Sequence, residues 1–279
     1  MAEDGIFIVG CPRSGTTLLQ SLLASHSAIA SFPESKFFLR LIAEPRQHSQ
    51  RYRLGLVGPQ AKPTFTSFLQ DVQASHLAYQ IPKLPLIRLY VRAFRQVLTQ
   101  LTQAQKKQLW LEKTPEHLHY IADIRRYLPR AKFVHILRSG EDTIASLYDL
   151  CQRHPAVWGR YFDGLDGCID RWLRDIEISR THRHHPGHAV VRYESLVAAP
   201  QPQLQRLCSF IGVEFESAML DRYRDTSSQL IRQGEAWKQL NRQAIRTTSH
   251  TKFKTVLTLA QQQRVLDRIK DADLSAFEI

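Results

Sequence analysis

The chain has 279 residues, 43% hydrophobic and 23% charged, which is ordinary for a globular protein with a sizeable core. Its net charge of +12 favours anionic partners: nucleic acid, acidic lipid or a multiply charged small ligand. No apolar run of about 18 residues occurs, so no membrane span is expected, and the acidic start Met1-Ala-Glu-Asp-Gly5 does not read as a secretory signal.

In chain order, Ile6-Phe-Ile-Val9 is a short apolar run suited to a buried parallel strand. The glycine-rich stretch Gly10–Thr17 follows, and then Leu18, Leu19, Leu22 and Leu23 recur at helical spacing. Residues 40–108 are rich in Gln, Arg, Leu and aromatics and predict a mostly helical insertion able to cover an acceptor site. Trp110-Leu111, Phe133–Leu137 and Ala189–Val191 predict strands, separated by helical patterns over about 116–128, ended by Pro129, and about 140–153. Leu204, Leu207, Cys208 and Ile211 share a helical face, whereas the weak periodicity of 225–252 predicts a ligand-covering lid loop. Alternating strands and helices predict an α/β fold with a central parallel sheet flanked by helices, in a single domain over 1–279.

The four cysteines, Cys11, Cys151, Cys168 and Cys208, show no C-x-x-C spacing. Buried free thiols in a reducing, cytoplasmic compartment are expected. Thr181–His188, with Pro186-Gly187 inside, reads as a basic turn before a strand rather than a metal cluster.

Gly10-Cys-Pro-Arg-Ser-Gly15-Thr16-Thr17 has the frame of a phosphate loop, whose backbone N–H groups converge on phosphate oxygens at a helix N-terminus. In ATP-using enzymes a lysine in this loop supports the phosphates and a strand-end acid helps to hold magnesium. Here the lysine position is Thr16, Arg13 lies inside the loop, and the apolar strand that should carry the acid ends in Arg138. This pattern suits a phosphate-like group held by side-chain cations and hydroxyls, with no metal.

"CPRSGTTLL" after a strand resembles the 5′-phosphosulfate loop of sulfotransferases that use 3′-phosphoadenosine 5′-phosphosulfate (PAPS), in their bacterial and tyrosylprotein branches. "HILRSGEDTIASLYD" resembles the family's 3′-phosphate segment, and "VVRYESLVAAP", "LEKTPEH" and "EAWK" resemble further blocks. The likeness implies a P-loop-type fold and PAPS as co-substrate. Arg13, Ser14, Gly15, Thr16 and Thr17 would hold its 5′ end, Arg138 and Ser146 its 3′-phosphate, Tyr193 the nucleotide, and Trp237 and Lys238 would close over it. A core tyrosine is an equally good reading of Tyr193.

Sulfuryl transfer needs fixed positive charge at the leaving phosphate oxygen and a base beside the acceptor. Lys113 and Arg13 are the candidates for the first task. Glu34, in "SFPESKFF", is the first candidate for the base by the resemblance, with Phe32, Phe37 and Phe38 placed to desolvate it. His117 is the second, and Ser227 and Ser228 fall in a stretch loosely similar to one that reaches the site. A small molecule, carbohydrate, peptide or carrier-bound chain are all compatible acceptors. Two other readings stand: a kinase or NTPase with a degenerate loop, requiring ATP and magnesium, and a nucleic-acid-binding module suggested by the charge.

Overall fold

The computed structural model describes residues 5–42, 50–159, 162–230 and 251–277. A five-stranded, all-parallel sheet in the order β2-β3-β1-β4-β5 organises them. The strands are β1 (Ile6–Gly10), β2 (Ile29–Ser31), β3 (Leu109–Lys113), β4 (Lys132–Leu137) and β5 (His188–Arg192). Four lie where the apolar runs predict them. The three-residue edge strand β2 has too short a signal to be seen in the sequence.

Alternation along the strands divides the core between two faces. Phe7, Val9, Trp110 and Phe133 point to one face, under α2 (Phe37–Leu41), α3 (Gln50–Arg53), α4 (Ala61–Asp71) and α5 (Ile87–Ala104). α3, α4 and α5, with a 3₁₀ segment at Ser75–Gln80, lie in the predicted helical insertion, and Phe37 of α2 stacks on Phe94 at 3.9 Å. Ile6, Ile8, Leu111, Val134 and Ile136 point to the other face, where α1 (Thr16–Ala24) packs.

The predicted helix over 116–128 is a 3₁₀ turn, Pro115–Tyr120, running into α6 (Ile121–Tyr127). The pattern at 140–153 is α7 (Gly140–Arg153). After it come α8 (Pro155–Trp158), α9 (Gly164–His182), α10 (Tyr193–Ala198), α11 (Pro200–Ile211) and α12 (Met219–Leu230). Last are α13 (Thr251–Val256) and α14 (Leu259–Ile269). Residues 225–230, expected in a loop, extend α12, because Tyr223 is buried in the core and anchors that helix. The remainder of the expected lid, 231–250, lies outside the described residues, as do Trp237 and Lys238. No helix among the described residues is long and apolar enough to cross a membrane.

The cysteines are free and buried. The histidine-rich turn leads into β5, and no metal-binding group of His, Cys, Asp or Glu is found among the described residues. It does build a buried chain with a forced proton order. The Ser179 hydroxyl donates to the Asp175 carbonyl, so its oxygen accepts from His135 Nδ1 at 3.1 Å. His135 Nε2 therefore accepts from His188 Nδ1–H at 2.9 Å. Burial first, and then neighbouring histidines, push His135 down to about 3 and His188 to about 2, from the ordinary 6.5.

Both groups are neutral in the folded chain and bind protons near pH 6.5 once unfolded. Stability is therefore fully present above that pH and is lost as pH falls from there toward 3. The expected slope is up to about 1.4 kcal/mol per pH unit for each histidine. Urea midpoints measured from pH 7.5 down to pH 5 test this, and a flat series would contradict it.

Candidate active site

Parallel strands place all their C-terminal ends on one edge of the sheet, where α/β folds bind ligands. Most of the candidate residues within the described structure lie at or just after these strand ends. Glu34 follows β2, Lys113 ends β3, the loop 11–15 follows β1, Arg138 follows β4 and Tyr193 follows β5. Strand order therefore sets the layout: Glu34 and Lys113 on one flank of the loop, Arg138 and Tyr193 on the other.

The loop is tight. Ser14 N–H donates to the Cys11 carbonyl at 3.1 Å, and Arg13 holds a left-handed φ of 74°. Gly15 caps α1 with φ 97°. A Cβ there would meet the Tyr193 ring at 2.3 Å, so Tyr193 seals the loop from outside and only glycine fits beneath it. Cys11 is buried, and its thiol is pushed well up by burial and by Asp175. It is a packing residue held protonated, not a nucleophile.

Behind Tyr193, the Arg138 guanidinium stacks on the ring at 4.4 Å and donates to Asp142 at 3.0 Å. Trp172 Nε1 donates to the Arg138 carbonyl at 3.1 Å and fixes the turn. Arg13 reaches across from the loop and donates Nε–H to the Ser146 hydroxyl at 3.2 Å. The sequence assigns Arg13 and Ser146 to opposite ends of a nucleotide; here they touch, because β1 and β4 are neighbours and α7 lies beside the loop. Burial, and then Arg138, lower the Arg13 pKa, while Asp149 supports its charge. Arg13 makes no ion pair among the described residues. Asp149 in turn binds Arg153 and Lys252, which outweigh its burial and hold its carboxyl low.

Several buried polar atoms here have no hydrogen-bond partner among the described residues: Ser14 Oγ, Arg138 Nε, Ser139 Oγ and Thr143 Oγ1. Buried polar groups are normally paired. Such a group around two guanidiniums has the chemistry of an anion receptor. Sequence reasoning missed Ser139 and Thr143. The only signal for them was their place between Arg138 and Ser146.

On the other flank Lys113, 2% exposed, is ion-paired with Glu34. Phe37 and Phe38 do not form the expected aromatic wall around Glu34. They turn into the core, where Phe38 meets His117 and Phe37 meets Phe94. His117 is fully buried with both nitrogens engaged: Nε2 accepts from Phe38 N–H at 3.1 Å, so Nδ1 carries the proton and donates to Glu112 at 2.8 Å. No lone pair is left for base work. Ser227 and Ser228 belong to α12.

Cations and hydroxyls gathered around a glycine loop at the end of a parallel sheet suit an anionic ligand. The profile of the sulfotransferase family matches residues 5–217, and the chain belongs to that family. It is 21% identical over 225 residues to protein-tyrosine sulfotransferase A of Caenorhabditis elegans, covering 77% of this chain and 51% of that protein. It is 26% identical over 286 residues to nodulation protein NoeE of Sinorhizobium fredii (strain NBRC 101917 / NGR234), covering 96% of this chain and 64% of that one. The chain thus spans about half the length of the tyrosine-sulfotransferase relatives it matches. In fold it is similar to the sulfotransferase domain from the curacin biosynthetic pathway, with a TM-score of 0.62 at 22% identity over 97% of this chain and 98% of that one. It is also similar to mouse sulfotransferase SULT7A1 complexed with PAP, with a TM-score of 0.56 at 13% identity over 99% and 87%.

Two glycines with positive φ separate strain from packing. Gly15→Ala meets both the φ cost and the Tyr193 ring, whereas Gly55, φ 69°, has nothing within 4 Å of a built Cβ. Gly55→Ala should cost about 1 kcal/mol in urea denaturation, and Gly15→Ala distinctly more. Equal costs would show that Tyr193 does not seal the loop.

Proposed function

We propose that the chain is a PAPS-dependent sulfotransferase that moves a sulfuryl group to an acceptor hydroxyl or amine, with Glu34 as general base and no metal. The observation that carries this reading is the pairing of Arg13 and Arg138 over partnerless buried hydroxyls. A magnesium-using loop needs a carboxylate at the end of the neighbouring strand. Here a guanidinium stands there, and it would repel a cation and attract a second anion.

Each residue then has a task. The N–H groups of the loop and the hydroxyls of Ser14, Thr16 and Thr17 would hold the 5′ end. Arg138, Ser146 and the unpaired Ser139 hydroxyl would hold the 3′-phosphate, with Tyr193 carrying the Arg138 fork. The Arg13–Ser146 hydrogen bond is one that a bound phosphate can replace. In transfer, the acceptor oxygen forms a bond to sulfur as the sulfur–phosphate oxygen bond breaks. Glu34 takes the acceptor proton, and Lys113 with Arg13 neutralises the charge left on the phosphate oxygen. Glu34 and Lys113 now neutralise each other. An arriving anion gives the ammonium a second partner and frees the carboxylate to act as a base.

The fold relative complexed with PAP, and a sealed His117, support the donor and the choice of base. The protein-tyrosine sulfotransferases among the relatives make a tyrosyl peptide the first acceptor class to screen. The experiment is a radiolabelled-PAPS screen across acceptor classes, with mass spectrometry for the gain of one sulfuryl group.

Arg13→Ala or Arg138→Ala should weaken binding of adenosine 3′,5′-bisphosphate by about 1.5–3 kcal/mol in calorimetry. Unchanged affinity would remove these residues from the donor site. Glu34→Gln should lower turnover far more than donor affinity, and equal turnover would exclude it as the base. Turnover should survive a chelator, whereas activity with ATP that depends strictly on magnesium would restore the kinase reading.

A further inference from the structure

Glu112 is buried at 2% exposure on the same face of β3 as Trp110, and sequence reasoning gave it no role. Its carboxylate accepts from Ser35 N–H at 3.2 Å, the Ser35 hydroxyl at 2.7 Å, the Thr114 hydroxyl at 2.7 Å and His117 Nδ1–H at 2.8 Å. Each of the three side chains also receives a backbone N–H. Thr114 Oγ1 accepts from Lys36 at 3.1 Å, Ser35 Oγ from Phe37 at 3.1 Å, and His117 Nε2 from Phe38 at 3.1 Å. The N–H groups of residues 35 to 38 therefore all run into this one carboxylate, directly or through a single relay. The ionised carboxylate can only accept, so each relay donates its own proton to it and the direction of every bond is fixed.

Glu34 is the residue immediately before this clamped run, and Lys113 is the residue immediately after Glu112. Strand alternation sends Glu112 and Lys113 to opposite faces. Glu34 meets Lys113 on one side while Ser35 meets Glu112 on the other. The turn is held against a left-handed φ of 52° at Lys36, a conformation that needs support from its surroundings.

We infer that Glu112 is the positioning residue for the base: it fixes the turn 34–38 so that the Glu34 carboxylate is presented beside Lys113. This rests on the reading of Glu34 as base. Burial would raise the Glu112 carboxyl, but the hydrogen bonds from His117, Thr114 and Ser35 outweigh it and hold the group below the usual range. It stays an acceptor at any working pH. Glutamine has the same shape but turns an NH₂ toward groups that are themselves donors.

The test compares Glu112→Gln, Glu34→Gln and the double variant in hydrolysis of radiolabelled PAPS, with water as acceptor. Water oxygen bonds to sulfur, the sulfur–phosphate oxygen bond breaks, and the products are sulfate and adenosine 3′,5′-bisphosphate. Affinity for the latter is measured by calorimetry. We expect Glu112→Gln to lower the rate at saturating PAPS by about tenfold to a hundredfold, with unchanged affinity for the bisphosphate. The acid limb of its pH–rate profile should move to higher pH, because a carboxylate parted from an ammonium ionises less readily. The double variant should be no slower than Glu34→Gln. Ser35→Ala, a milder change, should show a smaller loss of the same kind and decides the matter if Glu112→Gln does not fold. A normal rate in Glu112→Gln with a slow Glu34→Gln overturns the positioning role and leaves the base in place. A normal rate in Glu34→Gln removes the base and the positioning role with it. Loss of rate and affinity together, additive with Glu34→Gln, makes Glu112 a support of the fold alone and overturns the inference.

Discussion

Two guanidinium groups are brought together at the end of a parallel sheet, and much of the site follows from that. Arg13 and Arg138 are close enough for one to lower the pKa of the other. Asp142 holds Arg138, but the partner of Arg13 is a neutral hydroxyl. Like charges in a half-buried setting raise the free energy of the empty site, and a polyanion relieves it. The stacking of Arg138 on Tyr193, and of Tyr193 on Gly15, keeps both cations in place. The net charge of +12 thus has a local expression in this pair of cations, which has the chemistry of an anion receptor.

Topology turns this receptor into a site with direction. Because β1 is central, the loop lies between two neighbours of different chemistry. Toward β4 and β5 are Arg138, Tyr193 and the hydroxyls of Ser139, Thr143 and Ser146. Toward β3 and β2 are Lys113 and Glu34, backed by the Glu112 network and the aromatic core of the helical insertion. A group passing from donor to acceptor would cross the mouth of the loop from one flank to the other.

Four of the five strands and α7 were legible in the sequence because each joins an apolar run to a motif with fixed spacing. So were the glycine loop after β1 and the strand end at Arg138, since each follows an apolar run directly. What escaped was tertiary. Residues 29–31 make a strand only because Leu109–Leu111 offers them an edge. Phe37 and Phe38 were read as walls for Glu34, but the insertion provides a larger apolar surface, and they turn into it. His117 looked available as a base, and Glu112 had been given no role. Only the fold shows that each satisfies the other. The contact between Arg13 and Ser146, 133 residues apart, has no sequence signal at all.

The most direct test is a crystal structure with adenosine 3′,5′-bisphosphate. The account requires the 5′-phosphate against loop residues 13–17 and the 3′-phosphate against Arg138, with Arg13 drawn away from Ser146. The bisphosphate bound elsewhere, with both guanidiniums still on their present partners, would contradict it.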